Sequence, residues 1–88
     1  MTRYVAHPDT AFATVEGGAV VLHLGTKRYY SLNETGAVLW TLLEKGATEQ
    51  EATARLVELY EVRDEEARLA VVGLINSLVD ENLVARGP

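Results

Sequence analysis

Residues 28–40 read Arg28-Tyr29-Tyr30-Ser31-Leu32-Asn33-Glu34-Thr35-Gly36-Ala37-Val38-Leu39-Trp40, and the hydrophobic period of the chain changes inside them. Up to Leu32, apolar residues alternate or run in short β-branched and aromatic pieces, as strands do. After Asn33 they recur at three and four, as helices do. Asn33 stands at the join, where its side chain suits the cap of a starting helix. Working outward from it, Ala37-Val38-Leu39-Trp40 with Leu42-Leu43 predicts a helix ending near Gly46. Trp40, with Gly36 and Leu43 as helical neighbours, reads as a core anchor.

Downstream, Thr48 and Glu51 have the spacing of a capping box and open a second helix through Tyr60. Its buried stripe is expected to be Ala52, Leu56, Leu59 and Tyr60. Asp64 is expected to cap a third helix, with Glu65 and Glu66 in the first turn, where the helix dipole favours carboxylates. That helix should run to about Glu81, with Asn82 as a left-handed terminator.

Upstream, Gly17-Gly18 between two apolar runs signals a hairpin. A turn at these two residues pairs Glu16 with Ala19, Val15 with Val20, Ala13 with Leu22 and Ala11 with Leu24. The expected core face is then Ala11, Ala13, Val15, Val20, Leu22 and Leu24, leaving Phe12, Thr14, Val21 and His23 outside. A third strand, Arg28–Leu32, follows a Gly25-Thr26-Lys27 loop; it places Tyr30 and Leu32 on the core face and Tyr29 and Ser31 outside. A slip of one residue would reverse such an assignment. The fold class expected is α+β, a three-stranded antiparallel sheet followed by three helices.

The chain has 88 residues, 48% apolar and 24% charged, which bounds it to one domain, taken as residues 1–88. With no cysteine, disulfides, thiolate metal sites and cysteine nucleophiles are excluded. There is no apolar run of about 18 residues and no signal-peptide pattern, so a cytoplasmic location is expected. Residues 1–46 carry four basic and four acidic groups; residues 47–88 carry four basic and nine acidic, so the whole net charge of −5 lies in the second half. A phosphate backbone would be repelled there, which argues against nucleic acid as a partner. His7 and His23 have no metal-spaced companions, and His23 is expected to be solvated on an outer sheet face. No catalytic triad, phosphate-cradling loop or nucleotide fingerprint is present, so neither an enzyme nor a cofactor is indicated.

The third helix is more apolar than one contact face needs. Ala67, Ala70, Val71, Leu74 and Leu78 make an ordinary core stripe. Val72, Ile75 and Val79, with Leu69 beyond them, widen the apolar arc to roughly twice that width. Arg68 and Asn76 lie in this second flank. Either the small domain wraps the helix on two sides, or the flank is the wall of a groove. The third strand offers an opposite wall, because in a three-strand meander its outer edge is unpaired, and Tyr-Tyr-Ser-Leu contains no charge or proline to blunt it. Such an edge can accept an extended peptide as an added strand. Tyr29 is then strand filler or a platform for a ligand side chain, and Tyr30 is structural or the groove floor. Arg68 is an exposed partner of Asp64 or Glu65, or an anchor for a peptide carboxylate or carbonyl.

Taken together, residues 28–40, the acidic second helix from Thr48-Glu49-Gln50-Glu51 and the third helix ending Asn82-Leu83-Val84 resemble the PqqD-like RiPP recognition elements over residues 10–85. These bind leader segments of ribosomally made, post-translationally modified peptides. The resemblance implies a non-catalytic, winged helix-turn-helix-like domain that takes up no cofactor. It implies a leader added as a strand to the third strand and packed against the third helix. The peptide-binding residues would be Arg28, Tyr29, Tyr30, Ser31 and Leu32 with Arg68, Leu69, Val72, Ile75, Asn76 and Val79. The chain's size resembles stand-alone leader-binding subunits of lasso-peptide systems, which hand the precursor to a separate leader peptidase. It also resembles the PqqD type, which serves a radical-SAM peptide-modifying enzyme in quinone cofactor biosynthesis, but the lasso type is favoured for a chain this short and unfused. A winged-helix DNA-binding regulator is the contrasting reading, opposed by the two basic and seven acidic groups of residues 47–66. No membrane partner is expected.

Overall fold

Asn33 caps the first helix as its side-chain chemistry requires: its Oδ1 accepts the Gly36 N–H at 2.8 Å. A computed structural model describes residues 2–87; residues 1 and 88, the two ends of the expected domain, lie outside the described residues. In chain order the elements are β1 (Arg3–Ala6), β2 (Thr10–Val15), β3 (Gly18–His23), β4 (Tyr29–Asn33), α1 (Glu34–Lys45), β5 (Ala47–Thr48), α2 (Glu49–Leu59), α3 (Asp64–Asp80) and β6 (Val84–Arg86). The class is α+β, with three helices and the antiparallel sheet β2-β3-β4. A second small sheet, in the order β5-β1-β6, was not expected. Its strands are four, two and three residues long and come from distant parts of the chain, so none carries a periodic signal of its own.

The hairpin turn lies one residue earlier than expected, which moves the β2–β3 pairing by two residues, and the β3–β4 pairing differs from expectation by one. The turn is Glu16-Gly17, Val15 faces Gly18, and Phe12, Ala19, Val21, His23, Tyr30 and Leu32 share the inner face. Only Gly17 of the two glycines has positive φ, at 80°. Gly18 has a different task, because a Cβ there would overlap the carbonyl oxygen of Leu32. It must be glycine where β3 passes the end of β4. Of the expected core face, Ala11, Ala13, Val15, Val20 and Leu22 still share one side of the sheet, but it is the outer side, and Leu24 lies beyond the strand. Val15 is 50% exposed and Leu24 45%. In its place Phe12 stacks on Trp40 at 6.4 Å, and Ala19 and Val21 are buried. Because the β3–β4 pairing shifts by one residue, Tyr30 and Leu32 sit opposite Val21 and Ala19 rather than Leu22 and Val20, so they still face the core, and Tyr29 and Ser31 still face out.

His23 is also corrected, from solvated to buried. Its ring Nδ1 accepts the N–H groups of Gly25 and Thr26, at 3.1 and 3.3 Å. Its backbone donates to Arg28 O and accepts from Lys27 N–H, both at 2.8 Å. One residue thus organises the whole turn into β4.

Among the helices, α1 packs on β1, β3 and β4, while α3 packs on α2 and β6. The capping box of α2 is complete: the Glu51 N–H donates to Thr48 Oγ1 at 3.1 Å, and the Thr48 N–H donates to Glu51 Oε1 at 2.9 Å. Arg3 joins this cap, donating to Glu51 Oε1 and to Gly46 O at 3.0 Å each, which clips β1 to the α1–α2 corner. Asp64 does not cap α3; Arg63 occupies that position without a side-chain bond, and Asp64 is the first helical residue. Asn82, at φ 60°, terminates the helix as expected. The buried stripes are rotated from their expected positions. In α2, Ala52 and Leu56 are buried but Leu59 is 44% exposed, and Tyr60 is half-buried. In α3, Ile75 joins Ala67, Val71 and Leu78 in the core at 1% exposure, whereas Ala70 is exposed and Leu74 half-buried.

Three outcomes are expected. Gly18→Ala overpacks the β3–β4 crossing and should cost ~2–3 kcal/mol, seen as a drop of roughly 10 °C or more in thermal melts. Ile75→Asp buries an unpaired charge and should lose the cooperative melt altogether by circular dichroism, while Val72→Asp, at a half-buried position, keeps it. The Thr48 N–H bond, with the Arg3 guanidinium beside it, holds the Glu51 carboxyl below its usual range. A carboxyl lowered in the folded state stabilises above its unfolded value, and that contribution fades as pH falls through the lowered one. Between about pH 6 and about pH 3, wild-type should therefore lose more melting temperature than Glu51→Gln.

Candidate functional site: the open edge of β4

Strand β4 pairs with β3 on one side and has no strand partner on the other among the described residues. Because His23 N–H donates to Arg28 O, the antiparallel alternation sends the backbone groups of Tyr30 and Leu32 toward β3. Those of Tyr29 and Ser31 point away from the sheet, two donors and two acceptors with no ladder to join. Beside this edge lies a cleft of about 260 Å³, lined by Tyr30, Ser31, Leu32 and Asn33 from β4 and by Ala70 and Leu74 from α3. Thr35, Gly36 and Leu39 of α1 complete the lining. The α1 helix thus runs behind the cleft, with Gly36 close against Leu32.

The strand half of the expected site is assembled here. Tyr30, Ser31 and Leu32 line the cleft, Tyr29 stands outside it at 73% exposure, and Arg28 reaches across to Glu81 at 3.3 Å. That pair joins the start of β4 to the residue after α3; with Arg28 74% exposed, it adds little stability.

The helix half is not assembled. Ala70 and Leu74 form that wall, and Val72 and Val79 lie on the other side of the buried stripe, roughly 170° away around the helix. Ile75 is core. Leu69 is 59% exposed and Asn76 is exposed, both away from the cleft. Arg68 lines a different cavity, between α2 and α3, with Asp64 and Glu65. The helical period had grouped Ala70 and Leu74 with the core; the small size of Ala70 was the available sign that this face leaves room.

Among the described residues no cluster of three His, Cys, Asp or Glu side chains could hold a metal ion. Among the same residues, no helix is long and apolar enough to cross a membrane. The outer sheet face, with Val15, Leu24 and Tyr29 exposed, is apolar and uncharged.

Known proteins show the same architecture. Two solved structures superpose over almost the whole chain. One is "TbiB1 in Complex with the TbiA(beta) Leader Peptide", with a TM-score of 0.83, 24% identity and coverage of 91% of this chain and 93% of that one. The other is "Lasso peptide synthetase B1 complexed with the leader peptide", with a TM-score of 0.81, 24% identity and coverage of 93% and 96%. At such identity the likeness is one of fold. No curated protein sequence matches significantly. The family model described as "Coenzyme PQQ synthesis protein D (PqqD)" matches residues 18–84, from the first residue of β3 to the first of β6. With that match spanning most of its length, the chain belongs to the PqqD family.

Proposed function

We propose that this protein is a non-catalytic adaptor that binds the leader segment of a ribosomally made precursor peptide and presents it to a separate leader peptidase or modifying enzyme. The single domain is read as winged helix-turn-helix-like and cytoplasmic, without cofactor, nucleic acid or membrane partner. The observation that carries this reading is the free backbone edge at Tyr29 and Ser31 beside an apolar cleft. A peptide strand laid there satisfies the outward donors and acceptors, and its alternate side chains enter between Leu32 and Leu74. The expected binding residues are Arg28 to Leu32 on the strand, with Ala70 and Leu74 on α3 in place of the flank from Arg68 to Val79. Both superposed structures hold leader peptides, and one is described as lasso peptide synthetase B1, which favours lasso-peptide maturation. The family description favours a second reading, delivery to a radical-SAM peptide-modifying enzyme in quinone cofactor biosynthesis.

Strand addition plus a few apolar anchors corresponds to about −8 to −10 kcal/mol, or micromolar to tens of nanomolar. Calorimetric titration measures it, with the synthetic leader of any short precursor peptide found in the neighbouring genes as the probe. Ser31→Pro removes an outward donor that the β3 ladder does not use, so the domain should still fold while affinity falls at least about tenfold. Wild-type affinity in Ser31→Pro would remove strand addition from the account.

A further inference from the structure

The trough beside β4 does not stop where the strand does. A second cavity of about 310 Å³ begins at Thr35 and Ala70, which line both, and continues between the end of α2 and the start of α3. Leu56, Tyr60, Val62 and Ala67 form its walls, and its one charged lining residue is Glu66. Glu66 is exposed and joins none of the ion pairs among the described residues.

The surroundings are negative. Residues 61–66 carry four carboxylates against one cation, Arg63, and Glu34 opens the first turn of α1 next to Thr35. The N-termini of α1 and α3 offset only about half a charge each. An apolar cavity with a lone carboxylate at a wet rim suits a side chain with an aliphatic stem and a cationic tip. The stem loses water against Leu56 and Val62, and the tip meets Glu66.

We propose that this second cavity binds a lysine or arginine side chain of the same peptide, just beyond the segment that pairs with β4. The inference rests on the strand-addition reading, yet the cavity can be probed alone. Amide NMR of the intact isotope-labelled chain, titrated with n-pentylammonium, n-butylguanidinium and hexanoate, tests it. The two cations should give saturable shifts centred on Leu56, Val62, Ala67 and Ala70, with hexanoate at least threefold weaker. Glu66→Gln, a change on the exposed surface, should weaken the cations at least threefold and leave hexanoate no weaker. Equal binding of cation and anion, no binding at the cavity, or cation affinity unmoved by Glu66→Gln would each overturn the assignment. Those failures leave the Ser31→Pro result standing, whereas loss of strand addition would be seen in the leader titration whatever the probes do.

Discussion

The backbone of Gly18 lies so close to the Leu32 carbonyl that no side chain fits between them, and much of the structure follows from that approach. It sets β4 against β3 with Leu32 opposite Ala19 and Tyr30 opposite Val21, so these four residues share the inner face. Phe12 and Val21 then meet Trp40 and α1, and Leu32 closes the inner face where the strand hands over to the helix. The same placement leaves Tyr29 and Ser31 with backbone groups aimed at open space. The candidate binding edge and the core are consequences of a single register, and a change that disturbs one disturbs the other.

The cleft exists because α1 separates its two walls. Strand β4 packs on α1 directly, whereas α3 packs on α2 and β6, so the strand edge and the helix face each other without closing. Small residues keep the gap open: Gly36 at its back and Ala70 on the helix wall. A larger residue at either place would fill space that a peptide side chain can use. The turn ahead of β4 is held by four hydrogen bonds to His23, which fixes where the strand begins without any charge pairing. Charge is arranged along the trough instead. Arg28 stands just before β4 and pairs with Glu81, while Glu66 lines the second cavity.

Local signals read well where local chemistry decides the outcome. The three helices, the capping box at Thr48 and Glu51, the Asn33 cap and the Asn82 terminator each depend on residues within a turn of one another. The outward placement of Tyr29 and Ser31 is met through two offsetting changes, the reversal of the β3 faces and the one-residue shift of its pairing with β4. The hairpin register failed because two adjacent glycines look alike in sequence. Only the passage of Leu32 overhead distinguishes the one that turns from the one that must be small. The helix wall failed for a related reason: α3 is apolar over a wide arc, and periodicity cannot say which part of that arc meets α2 and which borders the strand.

By itself, then, the amino-acid order determined an α+β domain with an unblunted third strand, an acidic helical half and the residues of the PqqD family, since composition, period and capping act over a few residues. Tertiary structure alone decided the sheet's inner face, the small β5-β1-β6 sheet and the choice of Ala70 and Leu74 for the cleft wall. Those outcomes depend on contacts between segments far apart in the chain, where steric fit selects among faces that are equally apolar.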